Sequence, residues 1–135
     1  MGVPAVVAAG DGRASKAICG QSKVYLEIGG RALVSQVVSI LQRVPEVSEI
    51  WVVGNAPRLE KVFGDPSLRG ELRVPVTIVP QFRNLYENAW QTYRRLLPAA
   101  GSEGRDPTPE EAERPVLFLS ADIPFATAQE ISQFI

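Results

Sequence analysis

The sequence predicts a wound α/β domain with a mostly parallel sheet and helices on both of its faces. Four short runs rich in Val and Ile show no alternation with polar residues, which is typical of strands that are covered on both faces. Between these runs lie segments whose apolar residues recur at helical spacing. The resulting order, β-α-β-α-β-α-β-α, is that of a Rossmann-like wound sheet.

The strands are predicted over residues 3–9, 50–53, 74–79 and 116–119. The two clearest helices are predicted before Pro45 and before Pro98, since proline ends a helix. Their apolar residues are Leu33, Val34, Val37, Val38, Leu41 and Val44 in the first, and Leu85, Ala89, Trp90, Tyr93, Leu96 and Leu97 in the second. Core packing is predicted for four aromatic residues: Tyr25, Trp51, Trp90 and Phe118.

The last third of the chain contains a segment without apolar periodicity. Residues 98–115 are rich in Pro, Gly and charge, which predicts an exposed and disordered loop without chemistry. The end of the chain is different, because Thr127 and Glu130 form a capping-box pattern. One face of that predicted helix carries Ile131, Phe134 and Ile135. Since the helix is still amphipathic where the sequence ends, we expect residues 1–135 to be one domain that is part of something longer.

Composition excludes several classes of function. Fourteen Lys and Arg against fifteen Asp and Glu leave a formal charge of -1, so no global field attracts nucleic acid or an anionic membrane. The start of the chain lacks a basic region and has too short an apolar run for a signal peptide or membrane span, so we expect a cytoplasmic protein. With no histidine and a single cysteine, Ser-His-Asp and Cys-His catalysis, His-ligated zinc and an internal disulfide are excluded.

A glycine-rich segment follows the first predicted strand and points to an anion. Gly10 and Gly12 would let backbone N–H groups approach phosphate oxygens, and Arg13, Lys16 and Lys23 add positive charge. The segment matches neither the dinucleotide fingerprint nor the P-loop pattern. A polyphosphate is the predicted ligand. The alternative is that the glycines only make a tight strand exit and that the cations are solvated.

Polar residues also follow the third and fourth predicted strands, where ligands bind in open α/β sheets. Gln81, Arg83, Asn84 and Asn88 come after the third strand, and Asp122 comes after the fourth. A carboxylate at such a position suits Mg²⁺, which prefers a carboxylate together with substrate phosphates. The alternatives are a turn role for Asp122, a helix-cap role for Asn84 and a solvated side chain for Asn88.

The segments AAGDGR, SKVYLEIGGRALVSQVV, VVGN and FLSADIPFAT, taken in order, resemble the nucleotidyltransferase superfamily with the MobA-like fold over nearly the whole chain. The resemblance implies a fold like that of nucleotide-diphospho-sugar transferases of the GT-A type, of which residues 1–135 would be the N-terminal part. It implies Mg²⁺-dependent transfer of an NMP group from an NTP to a phosphorylated or sugar-like small-molecule acceptor, with release of pyrophosphate.

The resemblance also implies roles for individual residues. The loop with Ala9, Gly10 and Gly12 would wrap the NTP phosphates, and Lys23 would contact the phosphates just before the Gly-Gly-Arg-Ala-Leu turn. Asp122 would bind Mg²⁺. These assignments make the glycine-rich segment and the segment after the fourth strand two parts of one site.

Two further assignments come from the resemblance. Gln81 and Asn84 would approach the base or the ribose. The loop arginine departs from the family pattern, because Arg13 follows Gly12 directly instead of two residues later. Lys16 is therefore the alternative phosphate contact.

Two other functions remain open at this point. The altered arginine spacing suggests a nucleotide-binding or assembly module that kept the fold and lost turnover. A sugar-nucleotide-dependent glycosyltransferase is the third reading, but such enzymes carry a D-x-D motif where this chain has Asp122 alone, followed by Ile123 and Pro124.

Overall fold

The computed structural model of the chain describes residues 2–9, 17–18, 21–22, 27–28, 31–64, 73–120 and Gln129. Its strands are β1 (Val3–Ala9), β2 (Ala17–Ile18), β3 (Gln21–Ser22), β4 (Glu27–Ile28), β5 (Arg31–Ala32), β6 (Val47–Gly54), β7 (Val76–Pro80) and β8 (Leu117–Ser120). Its helices are α1 (Leu33–Gln42), α2 (Ala56–Phe63), α3 (Leu85–Leu96) and α4 (Pro109–Ala112). No helix in this part of the chain is long and apolar enough to cross a membrane.

The main sheet has four parallel strands in the order β7-β6-β1-β8. From β1 the chain moves outward to β6 and β7, and then returns to the other side of β1 with β8. The direction of winding therefore reverses between β1 and β8. The short strands form two antiparallel pairs, β2 with β3 and β4 with β5. The predicted wound, parallel α/β fold is confirmed.

One face of the sheet is closed by α1 and α2, and we call it the α1/α2 face. Alternate residues of β1 point to it, with Ala5, Val7 and Ala9 at 0% exposure. Leu41 of α1 and Leu59 of α2 are equally buried against them. This cluster is the main core of the described residues. The regular apolar period of α1 places one face of that helix in this core.

The opposite face is covered by α3, and we call it the α3 face. Its buried residues are Val6, Val53 and Val79, with Trp51, Phe82, Leu96 and Val116 packed partly buried against them. The aromatic residues show where this cover ends. Trp90 is 37% exposed and Phe118 is 49% exposed, so the prediction of core packing for these two was wrong. Helical spacing places a side chain on a face of its helix, but what covers that face depends on the rest of the fold.

Residues 98–115 are mostly exposed, as predicted, but they are ordered and include the short helix α4. Nη1 and Nη2 of the Arg105 guanidinium group donate to Oε1 and Oε2 of Glu111, at 2.8 and 2.7 Å. Thr108 and Glu111 form a capping box that begins α4. Gly104 has a φ of 78° and packs so closely on α3 that an added Cβ would lie 2.9 Å from Cβ of Arg94. The ion pair, the capping box and the close approach of Gly104 to α3 together hold the segment in this conformation.

Candidate functional site

The carboxyl ends of the four parallel strands meet at one edge of the sheet. Ala9 of β1 pairs with Gly54 of β6, which pairs with Pro80 of β7. On the other side of β1, Ala8 pairs with Ser120 of β8. Ligands of open α/β sheets bind at this edge where the strand order reverses, which here is between β1 and β8. This edge is the candidate site.

Gly54 allows the strand ends to approach each other. A Cβ at this position would lie 2.5 Å from the Ala9 carbonyl oxygen and 3.2 Å from Cδ1 of Leu59. Any side chain would therefore force β1 and α2 apart. The next residue, Asn55, begins α2, and its side-chain oxygen accepts a hydrogen bond from the Arg58 N–H at 3.3 Å. The N-terminus of α2 thus lies at the candidate site, where the sequence alone assigned no role to Asn55.

The segment after β7 is held by backbone and side-chain hydrogen bonds. The Gln81 N–H donates to the Gly54 carbonyl oxygen at 2.7 Å, and the Phe82 N–H donates to Oδ1 of Asn88 at 2.5 Å. Asn88 is only 6% exposed, so the alternative of a solvated side chain is wrong for this residue. Its carboxamide fixes the main chain next to Gln81.

Asn84 is the N-cap of α3. Its Oδ1 accepts a hydrogen bond from the Glu87 N–H at 2.8 Å, which confirms the helix-cap interpretation. The cap uses the side-chain oxygen, so this bond leaves the amide nitrogen of Asn84 as a donor at the candidate site. The role of Asn84 toward a nucleotide stays a prediction.

Phe82 anchors the same segment on the α3 face. Its half-buried ring packs against the cluster of Val6 and Val53, and the Arg95 guanidinium carbon lies 4.8 Å from the ring centroid. Arg95 is itself held by the Gln91 carbonyl oxygen at 2.9 Å. These contacts hold segment 81–84 in place at the site edge.

Arg83 and Glu87 form an ion pair at this edge. Nη2 of Arg83 is 2.6 Å from Oε1 of Glu87, one helical turn away. The hydrogen bond from Arg83 holds the pKa of Glu87 below its ordinary value, against the opposing effect of burial. Within the described ranges, no cluster of three or more Asp, Glu, His or Cys side chains is arranged to hold a metal ion.

The predicted site residues divide into two groups. Ala9, Gln81 and Asn84 lie at the candidate site edge, and their contact with a nucleotide stays a prediction. Six predicted residues lie outside the described residues: Gly10, Gly12, Arg13, Lys16, Lys23 and Asp122. The chain leaves β1 at Ala9, directly before Gly10, and leaves β8 at Ser120, two residues before Asp122.

Two solved structures have a similar fold. One is 4-diphosphocytidyl-2C-methyl-D-erythritol synthase from Anaerococcus prevotii, with a TM-score of 0.66 and 17% sequence identity over 98% of this chain and 48% of that chain. The other is CMP:2-keto-3-deoxy-manno-octonic acid synthetase complexed with CTP, with a TM-score of 0.63 and 16% identity over 98% of this chain and 45% of that chain. The chain therefore spans about half the length of each, and at these identities the likeness shows the fold alone.

Sequence comparison assigns the family. A comparison with curated protein sequences found no significant match. The family described as the MobA-like NTP transferase domain matches residues 5–135, from the third residue of β1 to the end of the chain. This match agrees with the parallel sheet and its reversal of strand order beside β1. The chain belongs to the MobA-like NTP transferase domain family.

Proposed function

We propose that this chain binds an NTP at the candidate site, between the carboxyl ends of β1 and β8. It would transfer the NMP group to a phosphorylated or sugar-like small-molecule acceptor, with release of pyrophosphate. The observation that carries the proposal is the reversal of strand order between β1 and β8. In the sequence, Gly10 follows the last residue of β1, and Asp122 follows the end of β8 by two residues. A CTP complex of one structural neighbour agrees with an NTP as the ligand.

The proposed phosphate contacts come from the glycine-rich segment. Backbone N–H groups at Gly10 and Gly12, with Arg13 or Lys16, hold the β- and γ-phosphates. Lys23 stabilises the charge that develops at the α-phosphate as the acceptor oxygen attacks and the bond to pyrophosphate breaks. Nucleotidyl transfer depends on positioning and charge neutralisation, so a chain without histidine is suited to it.

Asp122 is the proposed ligand of Mg²⁺. Mg²⁺ typically takes one or two carboxylates and completes its octahedral shell with phosphate oxygens and water, so a single aspartate fits this type of site. When bound, the ion would neutralise phosphate charge. The described residues supply no preformed carboxylate cluster of their own, so the proposal depends on Asp122.

Segment 81–84 is the proposed contact for the nucleoside. Its main chain is fixed at the Gly54 carbonyl oxygen, and the side chain of Gln81 is exposed at the site edge. Asn84 offers its amide nitrogen as a donor while its oxygen caps α3. A segment that is already held in place is suited to contact the base or ribose, because it loses little conformational entropy when the nucleotide binds.

Calorimetric titration of the parent chain and Lys23→Ala with an NTP and with the matching nucleoside tests the phosphate assignment. We expect the variant to lose affinity for the NTP and to keep its affinity for the nucleoside, because a cation at the phosphates does not contact the base. Equal NTP affinity of variant and parent would remove Lys23 from the site. Absence of NTP binding by the parent would contradict the proposed function itself.

Thermal unfolding of Asp122→Asn with NTP, with and without Mg²⁺, tests the metal assignment. We expect an unchanged melting temperature without ligand, because asparagine keeps the turn-forming ability of the side chain. The stabilisation by Mg-NTP should shrink; for a ligand at a hundred times its Kd that stabilisation is about 2.7 kcal/mol. An unchanged Mg²⁺-dependent shift would leave Asp122 with the turn role and would favour a phosphate-binding module.

A further inference from the structure

Arg95 connects three parts of the molecule. It lies in the last turn of α3, where its Nη1 donates to the Gln91 carbonyl oxygen at 2.9 Å and to Oε1 of the same residue at 3.1 Å. Its Nε donates to the Ser102 carbonyl oxygen at 3.0 Å, and its guanidinium carbon lies over the Phe82 ring, 4.8 Å from the centroid. The side chain therefore joins α3, the segment after α3 and the site edge.

The Phe82 ring is the point at which Arg95 reaches the candidate site. Phe82 lies between Gln81 and Asn84, the two predicted nucleoside contacts. Its N–H is bonded to Oδ1 of Asn88, and its ring packs beside the buried valines of the α3 face. A guanidinium is attracted to the face of an aromatic ring, most strongly where both groups are partly desolvated, as these two are. The ring is therefore held by the core and by Arg95.

The segment after α3 supplies one of the contacts of this guanidinium. Residues 98–105 fold back on the last turn of α3, where the Arg105 N–H donates to the Arg94 carbonyl oxygen at 3.1 Å. Gly101 has a φ of 70°, a left-handed conformation that favours glycine. An added Cβ at this position would have no neighbour within 4 Å among the described residues beyond those adjacent in the chain. This turn places the Ser102 carbonyl oxygen against the guanidinium Nε.

Arg94 is a neighbouring cation that does not contact the site edge. It lies in the same turn of α3 and holds the same segment, because its Nε pairs with Oδ1 of Asp106 at 3.0 Å. Its Nη1 donates to Oε1 of Gln91 at 3.0 Å. Both cations are favourable near the C-terminus of a helix. Of the two, Arg95 lies over the Phe82 ring. Comparison of the pair therefore separates a stabilising role at the end of α3 from a role at the site.

We propose that Arg95 is a positioning residue for the nucleoside part of the site, and that residues 98–105 act on the site through it. The Ser102 and Gln91 oxygens fix the planar guanidinium, which limits the movement of the Phe82 ring and thereby of segment 81–84. The inference rests on the proposed function, because it needs segment 81–84 to contact the nucleoside. It gives a role to residues for which the sequence predicted no chemistry.

Hydrogen exchange of the Phe82 amide, measured by NMR in the 135-residue chain, tests the connection. Arg95→Met removes the charge and the donors of this side chain, and Arg94→Met is the matched control. We expect Arg95→Met to speed the exchange of the Phe82 amide relative to the amides of β1, which report global opening. Arg94→Met should keep the ratio of the parent. An equal change in both variants, or no change in Arg95→Met, would overturn the inference.

Arg95→Lys is the conservative variant for the same measurement. It keeps a cation near the Phe82 ring but lacks the planar fork that bonds the Ser102 and Gln91 oxygens. We expect a Phe82 exchange ratio between those of the parent and Arg95→Met. If Arg95→Met loses the native circular dichroism spectrum, Arg95→Lys gives the decisive comparison with Arg94→Met.

Gly101→Val tests whether the segment acts through Arg95. Valine disfavours a φ of 70°, so this variant disturbs the main chain directly before Ser102. We expect faster exchange of the Phe82 amide in the parent background and no added increase in the Arg95→Met background, because the connection is already broken there. The same increase in both backgrounds would show that the segment does not act through Arg95.

Calorimetric titration with ATP, CTP, GTP, UTP and inorganic tripolyphosphate relates the effect to the nucleoside. We expect Arg95→Met to keep the tripolyphosphate affinity of the parent and to lose NTP affinity. If segment 81–84 held its binding conformation about a fifth of the time, the apparent Kd for the NTP would rise about fivefold. Unchanged NTP affinity, or equal losses for the NTP and tripolyphosphate, would overturn the inference while the proposed function stood. A parent chain that bound no NTP would contradict the proposed function and, with it, the nucleoside role of Arg95.

Discussion

The two faces of the sheet differ in what they are built from. On the α1/α2 face, aliphatic side chains fill a closed core, with Leu41, Ile50 and Leu59 at 0% exposure. On the α3 face, three valines are buried, and around them lie aromatic rings, amides and hydrogen-bonded loop segments. The first face is organised for burial of apolar area. The second combines a smaller core with the fixed segment at the candidate site.

We infer from this difference that the α1/α2 face mainly provides stability, whereas the α3 face also positions segment 81–84. Substitutions on the α1/α2 face should act on the free energy of unfolding, because burial of aliphatic groups dominates there. Substitutions at polar residues of the α3 face should act on the geometry of segment 81–84 as well, because each removes a specific hydrogen bond. Four predictions test this difference between the two faces, in order of decreasing effect.

Leu41→Ala should have the largest effect on stability. Leu41 is fully buried in α1, so the substitution removes buried apolar atoms and leaves a cavity, at a cost of about 2–5 kcal/mol. The matched change on the other face, Leu96→Ala, should cost below about 2 kcal/mol, since that side chain is only partly buried. Urea unfolding of both variants measures the difference. Equal losses would contradict the contrast between the two faces.

Gln42→Ala tests the hydrogen bonds that connect the end of α1 to residues 73–74. The Gln42 side chain is 6% exposed; its Oε1 accepts from the N–H groups of Arg73 and Val74, and its Nε2 donates to the Val74 carbonyl oxygen. Removal leaves buried groups without these bonds, so we expect a loss at the upper end of about 1–3 kcal/mol in urea unfolding.

Gln42→Met is the control for that prediction. It keeps most of the side-chain volume and removes all three hydrogen bonds, so its loss should be close to that of the alanine variant in the same unfolding measurement. A much smaller loss would show that packing of the side chain, and not its hydrogen bonds, holds α1 to residues 73–74.

Asn88→Ala should combine a modest loss of stability with weaker nucleotide binding. The substitution removes the acceptor for the Phe82 N–H, which costs about 1 kcal/mol and releases segment 81–84. Asn88→Asp keeps the acceptor oxygen and should retain more NTP affinity than Asn88→Ala, whereas its stability should fall because a carboxylate is placed at a buried position. Urea unfolding and calorimetric titration with an NTP measure the two effects. Unchanged NTP affinity in Asn88→Ala would separate segment 81–84 from the proposed nucleoside contact.

The smallest effect is expected at Glu111, beyond the end of α3. Hydrogen bonds from Arg105 and from the Thr108 N–H lower the pKa of Glu111 from 4.5 to about 2. Since the folded pKa is depressed, this contribution to stability is present above pH 4.5 and is lost as the pH falls toward 2. Unfolding measured across this range should therefore show a shallower decline for Glu111→Gln than for the parent.

A control for this pH effect lies on the same short helix. Glu110 is exposed and is not the partner of Arg105, so Glu110→Gln should keep the decline seen in the parent. If Glu111→Gln and the parent declined alike, the ion pair with Arg105 would make no contribution to the pH dependence of stability. The ordered segment 98–115 would then depend on its capping box and backbone hydrogen bonds.

Much of the fold could be predicted because the signals are local. The apolar runs that became β1, β6, β7 and β8 were all identified, although β6 begins three residues earlier than predicted, at Val47. The cap role of Asn84 also follows from neighbouring residues, since the acceptor and the Glu87 N–H are three positions apart. Elements of this kind depend on a few adjacent positions of the chain.

The candidate site was harder to predict, because its parts come from distant positions. Gly54 and Gln81 meet at the site but come from different parts of the chain, and no pattern in the sequence indicates the hydrogen bond from the Gln81 N–H to the Gly54 carbonyl oxygen. Gly54 appears in the sequence as the end of a strand, and only its distance from the Ala9 carbonyl oxygen shows why a side chain is excluded there. The phosphate and metal residues predicted from the family resemblance, Lys23 and Asp122 among them, stay predictions.

The type of each main element and the family follow from the sequence alone, since periodicity and short motifs are properties of adjacent residues, and a helix cap at Asn84 was one of two alternatives. Contacts between distant parts of the chain set the strand order β7-β6-β1-β8, the burial of Asn88 and the exposure of Phe118. These depend on which elements meet in space. An amphipathic pattern shows that a face is apolar, whereas the cover over that face comes from parts of the chain that the pattern does not contain.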